Sequence, residues 1–219
     1  NKALKSRRNK KFVSGNSLYN SYVSEQCKNI PALQRLLASA SGNNIVLDIS
    51  TIQLLVADCA LHLFLSKNNT HINTNTNLLL GFLVNELSIG EYDCLISDLI
   101  DDTDSAISFC KENPLLFNME YIYETDEDIL GLIYISCKNI GNRKAAGSYY
   151  TSTKVVKNLI SRLSFQEPVK VLDPCCGTGN FLLQLPDVLP FDSIYGNDID
   201  AASVKITRLN MALKYNVPV

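Results

Sequence analysis

Val171-Leu-Asp-Pro-Cys-Cys-Gly-Thr-Gly-Asn-Phe-Leu182 is a strand that runs into a glycine-rich turn and out into a helix. The β-branched run at residues 169–173 ends on Asp173, and the helix is expected to start at Gly179 and continue through residue 185. Glycine at 177 and 179 lets the backbone come close to a ligand at positions a Cβ would obstruct. The helix that follows presents unpaired N–H groups to whatever sits there. Dinucleotide, flavin and methyl-donor sites all use such a turn, and two details separate them. The third glycine of the G-x-G-x-x-G fingerprint would fall at Leu182, so the dinucleotide pattern is broken. Asp173, at the strand's end, would repel a pyrophosphate but suits the ammonium of a methionine moiety.

The chain around this turn alternates between two periods. Residues 152–163 read as a helix with Val155, Val156, Leu159, Ile160 and Leu163 on its apolar side, residues 193–197 as a second strand, and residues 201–215 as a second helix. Strand–helix–strand–helix at this spacing implies parallel strands joined by right-handed crossovers, the opening of a Rossmann-like α/β domain. The second strand closes on Tyr195-Gly-Asn-Asp198-Ile-Asp200. An acidic residue at the tip of the strand after a glycine turn is placed to accept both hydroxyls of a ribose. Asp198 takes that role, and Asp200 is expected to cap the helix behind it. A nucleoside-containing ligand follows from the two features together.

Ahead of this region the pattern is helical from Pro31 to Ile140. Helices are expected from Pro31, where proline occupies the first turn, then over residues 45–67, 77–87, 91–100, 104–113 and 126–139. The last of these carries acidic residues in its first turn, where the helix dipole favours them. No chemistry-bearing pattern is visible in this bundle, so its residues read as core and surface. Its most apolar stretch, residues 45–65, is interrupted by Asp48, Gln53, Asp58 and His62, whereas a membrane span needs about 20 nearly uncharged residues. A buried helix and no membrane partner are expected, and no secretory signal is visible. Residues 1–11 carry Lys2, Lys5, Arg7, Arg8, Lys10 and Lys11 with almost nothing apolar, a loose terminal arm. Gly141-Asn-Arg-Lys-Ala-Ala-Gly147 is a connector. Three parts result: a disordered arm at 1–30, a helical bundle at 31–140, and the start of an α/β domain at 141–219.

The chain's 219 residues are 46% hydrophobic and 19% charged, which excludes a disordered polypeptide. A net charge of −2 lacks the basic signature of a surface that grips nucleic acid. Seven cysteines without a CxxC, beside two histidines, argue against both a disulfide framework and a zinc site. Reduced thiols in a cytoplasmic protein, with no metal, are the expectation.

Three segments in order carry a family resemblance: Gly147-Ser-Tyr-Tyr-Thr-Ser-Thr-Lys-Val-Val-Lys157, the glycine turn, and Gly196-Asn-Asp-Ile-Asp200. Together they resemble the N6-adenine DNA methyltransferases of restriction–modification systems, and among them those with an N-terminal helical domain. The resemblance is close over residues 126–214 and takes in Asp128-Ile-Leu-Gly-Leu-Ile-Tyr134 and Asn142-Arg-Lys144. It implies S-adenosylmethionine as cofactor. The family's GxYYTP-like segment, which holds the methionine end, corresponds to Tyr149, Tyr150 and Thr151, with Ser152 in place of the usual proline. The family's DPxCGTGxF turn corresponds to Asp173, Pro174, Cys176, Gly177, Thr178, Gly179 and Phe181, with Cys175 where alanine is frequent. Asp198 and Ile199 complete the implied cofactor site.

The activity implied is methyl transfer to N6 of adenine at a specific site in double-stranded DNA, with a specificity or nuclease subunit as a further partner. In such enzymes an Asn/Asp-Pro-Pro-aromatic loop grips the flipped adenine. No Pro-Pro pair occurs in this chain, so no catalytic residue is assigned in it. The resemblance therefore implies an N-terminal piece, inactive alone and weak in cofactor binding, whose two parallel strands keep open edges. Two other readings remain. One is an S-adenosylmethionine-dependent methyltransferase acting on protein glutamine or ribosomal RNA, against which the GSYYTS segment stands. The other is a non-catalytic DNA-modification subunit in which the bundle is the working part.

Overall fold

A computed structural model of the protein describes residues 22–70, 77–138, 150–166 and 168–218. The front half comprises α1 (Ile30–Gly42), α2 (Ile49–Lys67), α3 (Leu78–Leu83), α4 (Asp93–Ser97), α5 (Thr103–Glu112) and α6 (Ile129–Cys137). The rest comprises α7 (Thr153–Ile160), β1 (Val171–Asp173), α8 (Asn180–Leu183), β2 (Ile194–Gly196) and α9 (Ala201–Tyr215). The described residues are mainly helical, with a single two-stranded parallel sheet. The basic run at 1–11 and the connector at 141–147 lie outside the described residues. Tyr22, Val23 and Cys27, in the segment read as an arm, are buried.

Capping side chains set the helix starts more sharply than the apolar pattern does. Expected from residue 45, α2 begins at Ile49, because Asp48 adopts extended backbone and its Oδ1 accepts the Thr51 N–H at 2.8 Å. Asn77 caps α3 through the Leu80 N–H, Asp102 caps α5 through Ser105, and Asp128 caps α6 through Gly131. The acidic first turn expected for α6 is thus a buried cap instead. Helix α3 stops at Leu83, short of residue 87. Asn85 turns left-handed there, and the Glu86 and Leu87 N–H groups return to the Gly81 carbonyl. The stretch 91–100 is a 3₁₀ turn at Gly90–Tyr92 followed by the short α4. Both strands are shorter than expected, three residues each.

Helix α2 forms the centre of the bundle. Every residue from Thr51 to Leu65 is buried, since α3, α6 and α9 pack around it. A helix long and apolar enough to cross a membrane is here enclosed by protein. Helix α9 delivers Ala202, Ile206, Leu209, Ala212 and Leu213 into the same core. Lys67, at the end of α2, donates to the Leu213 carbonyl and to Asn216 Oδ1, where the last carbonyls of α9 lack helical partners. A second, smaller core of Cys176, Leu182, Leu183, Leu185, Leu189 and Met211 lies against the sheet. Leu172 pairs with Tyr195 across that sheet; both are exposed, and among the described residues each strand has one partner. On α7, which stops at Ile160 short of the expected residue 163, Val156 is buried, but Val155 and Leu159, expected on its apolar side, are exposed, as is Leu163 beyond its end.

An acidic and a basic side chain lie within the enclosed part of α2. Asp58 and His62 stand one turn apart with Nε2 and Oδ2 at 3.9 Å, too far for a hydrogen bond. Burial pushes the Asp58 carboxyl well up and the His62 imidazole down to about 4. A base kept neutral in the folded chain contributes fully above its ordinary value near 6.5, and loses that contribution as pH falls toward 4. Asp58 is present in both the wild type and His62→Gln, so comparing the two removes the part of its titration that they share. The stability of the wild type relative to His62→Gln should fall by roughly 3 kcal/mol between neutral pH and the lower value. Urea melts across that range check it; a constant difference would mean that the folded state hydrates the imidazole.

Candidate functional site

A cleft of about 550 Å³ opens where the glycine turn, the tip of β2 and the C-terminal end of α6 meet. Gly177 and Gly179 both have positive φ, +54° and +91°, a conformation open to glycine at little cost. A Cβ on Gly179 would meet Thr207 of α9 at 3.1 Å, and one on Gly177 would meet the Tyr150 ring at 3.5 Å. Gly179 therefore serves the fit of the turn against α9, while Gly177 faces the cleft side.

Tyr150, Thr151, Cys176, Gly177, Thr178, Phe181, Asp198 and Ile199 all line this cleft. Asp173, Pro174 and Gly179 are not in its wall. Asp173 closes β1, its Oδ1 accepting the Cys175 N–H at 3.1 Å and its carbonyl accepting the Asn197 N–H. Tyr149 lies outside the described residues. Asp198 Oδ2 accepts the Gly177 N–H at 2.8 Å and its Oδ1 accepts the Asp200 N–H at 2.9 Å. Two of the carboxylate's roughly four acceptor sites are thus used to aim it. Ile199 beside it is 100% exposed, an apolar surface at the mouth of the cleft.

Asp200 holds the N-cap position of α9, but its side chain makes no capping bond, contrary to the sequence expectation. Its Oδ2 instead accepts the Tyr134 hydroxyl at 2.7 Å, the Lys138 ammonium at 2.7 Å and the Ser203 hydroxyl at 3.1 Å. A bond from an ammonium is about twice as strong as one from a neutral amide, so the bundle wins this side chain from its own helix. Burial works to raise the Asp200 carboxyl, yet the bonds from Lys138 and Tyr134 hold it below the usual carboxylate range.

Beneath the turn sits Asp128, fully buried. Its Oδ2 accepts the hydroxyls of Tyr22 and Thr178, each at 2.5 Å, and its Oδ1 accepts the Gly131 N–H and the Asn210 amide, each at 2.7 Å. Burial pushes this carboxyl up, while the four bonds pull it back. Asn210 also donates to the Thr178 carbonyl, and Thr207 to the Gly177 carbonyl, both at 2.8 Å. Asn180 fixes the other wall by donating to the Thr151 carbonyl at 2.9 Å. The turn is therefore held by α6, α9 and the segment around Tyr22 at once.

Tyr22, Tyr134, Lys138, Asn180, Asp200 and Ser203 also line the cleft, although the sequence assigned none of them to the cofactor site. Tyr134 lies on a helix whose apolar pattern reads as core, although the family resemblance takes that segment in, and Lys138 ends the same helix. The GSYYTS segment and the glycine turn could be found because their spacing is local; the part these six side chains play in the wall is set by tertiary contacts.

Residues 125–216 match the N-6 DNA Methylase family. No curated protein and no solved structure matches the chain. The matched span takes in α6, the glycine turn, both strands and α9, and supplies all of the cleft wall except Tyr22 and Ile49. The stretch from α6 to α9 is thus similar to the N-6 DNA methylase family.

Proposed function

We propose that the cleft binds S-adenosylmethionine, and that the protein methylates N6 of adenine at a specific site in double-stranded DNA as part of a restriction–modification system. The observation that supports this most is the Asp198 carboxylate, aimed from the C-terminal end of a parallel strand beside a glycine turn. The β1–α8–β2 unit reads as the opening of a Rossmann-like sheet, and ligands of such sheets sit outside the carboxyl ends of the strands. A volume of about 550 Å³ falls among those of small-molecule sites.

Asp198 would take the ribose hydroxyls and Ile199 would give the adenine an apolar surface. Tyr150, Thr151, Cys176, Gly177, Thr178 and Phe181 would hold the methionine part. Asp173, Pro174 and Gly179 would serve this end by shaping the turn, and Tyr149 is assigned with Tyr150 by the motif alone. When bound, the cofactor supplies an electrophilic sulfonium methyl. The residues named act by orienting it, which for two bound reactants removes a large share of a barrier. No residue of this chain is assigned to the chemical step. With a net charge of −2, gripping of DNA is assigned elsewhere in the assembly, with a specificity or nuclease subunit as partner. None of the seven cysteines is in a disulfide, in keeping with a cytoplasmic setting.

Asp198→Ala should weaken S-adenosylmethionine binding to the full-length protein by about 1–3 kcal/mol, the scale of hydrogen bonds to a charged acceptor. Titration calorimetry measures this. Unchanged affinity would remove Asp198 from the site. A wild-type protein that binds no S-adenosylmethionine would defeat the cofactor reading and leave a non-catalytic subunit as the better account.

A further inference from the structure

Asp198 is aimed by two main-chain N–H groups, and one of them belongs to Asp200. Asp200 is tied in turn to the bundle by Tyr134 and Lys138, 66 and 62 residues earlier in the chain. A capping aspartate would accept N–H groups of its own helix, and this one does not. The tether is sheltered: the Lys138 and Asp200 side chains are 15% and 26% exposed, and the Lys138 ammonium also lies 4.5 Å from the centre of the Tyr134 ring. Tyr134 is fully buried on a helix packed against α2. Its hydroxyl therefore has a rigid base from which to hold Asp200.

We infer that Tyr134 and Lys138 are positioning residues of the cofactor site, setting the ribose-facing carboxylate of Asp198 through Asp200. This rests on the proposed role of Asp198. With the tether cut, the Asp200 carboxylate is free to turn back onto the first amides of α9, as its position favours. Without the tether the Asp200 main chain also loses its anchor on α6, so its N–H is no longer fixed against Asp198 Oδ1, and Gly177 is left as the firm partner of that carboxylate. The helical bundle is then part of the cofactor site through hydrogen bonds, beyond its role as packing for the α/β part.

Tyr134→Phe and Lys138→Met, which keep the ring and the aliphatic stem, test this in the full-length protein. Each is titrated with S-adenosylmethionine and with its 2′,3′-dideoxyribose analogue, and melting is followed alongside. Each variant should bind S-adenosylmethionine about tenfold more weakly than wild type, the scale of one charge-assisted hydrogen bond. Wild type and variants should bind the dideoxy analogue alike, because the contact being positioned is gone. Lys138→Arg should recover most of the loss. Equal losses for both ligands would reduce the pair to a structural role and overturn the inference, as would variants that bind S-adenosylmethionine like wild type. A wild type that binds the two ligands equally would defeat the ribose role of Asp198 itself, a different failure from variants that match a discriminating wild type.

Discussion

Asp128→Ala is expected to cost this chain roughly 3–5 kcal/mol of stability, the scale for leaving a buried charge network broken. Four donors converge on that carboxylate, from Tyr22, Thr178, Gly131 and Asn210. Alanine offers none of them an acceptor, and each buried donor left without one costs about 1–3 kcal/mol. The full sum is not reached, because the variant no longer has a carboxylate to keep out of water; burial pushes that carboxyl up in the wild type. Asp128→Asn gives the comparison. Its amide oxygen serves the Gly131 and Asn210 donors, and its NH₂ faces two hydroxyls that can turn to accept. About half the loss is expected for it. Urea unfolding checks both variants; a loss below about 1 kcal/mol for Asp128→Ala would put it among ordinary surface changes and mean that water replaces the carboxylate.

Gly131→Ala should destabilise by a similar amount, roughly 3–5 kcal/mol from overpacking plus disruption of the same network. In an exposed helix interior this change stabilises by about 1 kcal/mol, so the expected sign is the reverse of the propensity. The added Cβ would lie 2.1 Å from Asp128 Oδ2 and 2.3 Å from Thr178 Oγ1. The Asp128 carboxylate also caps the first turn of α6, and Thr178 is in the glycine turn, so neither yields without moving backbone. Because Asp128 supplies two of the three nearest atoms, the double variant Asp128→Ala/Gly131→Ala should lose clearly less than the two single losses added. A Gly131→Ala protein with an unfolding midpoint at or above wild type would show that the turn and α6 are not in this contact.

Coupling between the network and the cleft follows from its geometry. Thr178 lines the cleft with its neighbours and donates to Asp128 behind it, so displacing it moves the turn that Asp198 is bonded to at Gly177. Both substitutions should therefore reduce affinity for the S-adenosylmethionine proposed to bind in the cleft as well as stability, whereas His62→Gln, deep in α2, should change stability alone.

The glycine turn, the acidic tip of β2 and the helix at Ala201–Tyr215 were legible in the sequence because each is a local demand. A turn of positive φ calls for glycine within a few residues, and a 15-residue helix shows its period whatever it packs against. The same locality made the family segments readable in order along residues 125–216. Tertiary structure alone decided which side chains meet. Tyr22 reaches Asp128 across 106 residues, Asn210 across 82, and Lys138 reaches Asp200 across 62. The sequence placed Asp128 in the first turn of a helix and Asp200 at the cap of another. That Asp128 is a cap sealed under the glycine turn, and Asp200 one turned away from its own helix, depends on partners brought by other elements. Likewise Val155, Leu159 and Leu163 fit an apolar helix face, yet only packing determines whether anything covers that face, and here the described residues leave it exposed. Local backbone preference is encoded residue by residue, while the energy of a buried polar contact exists only once the chain has closed around it.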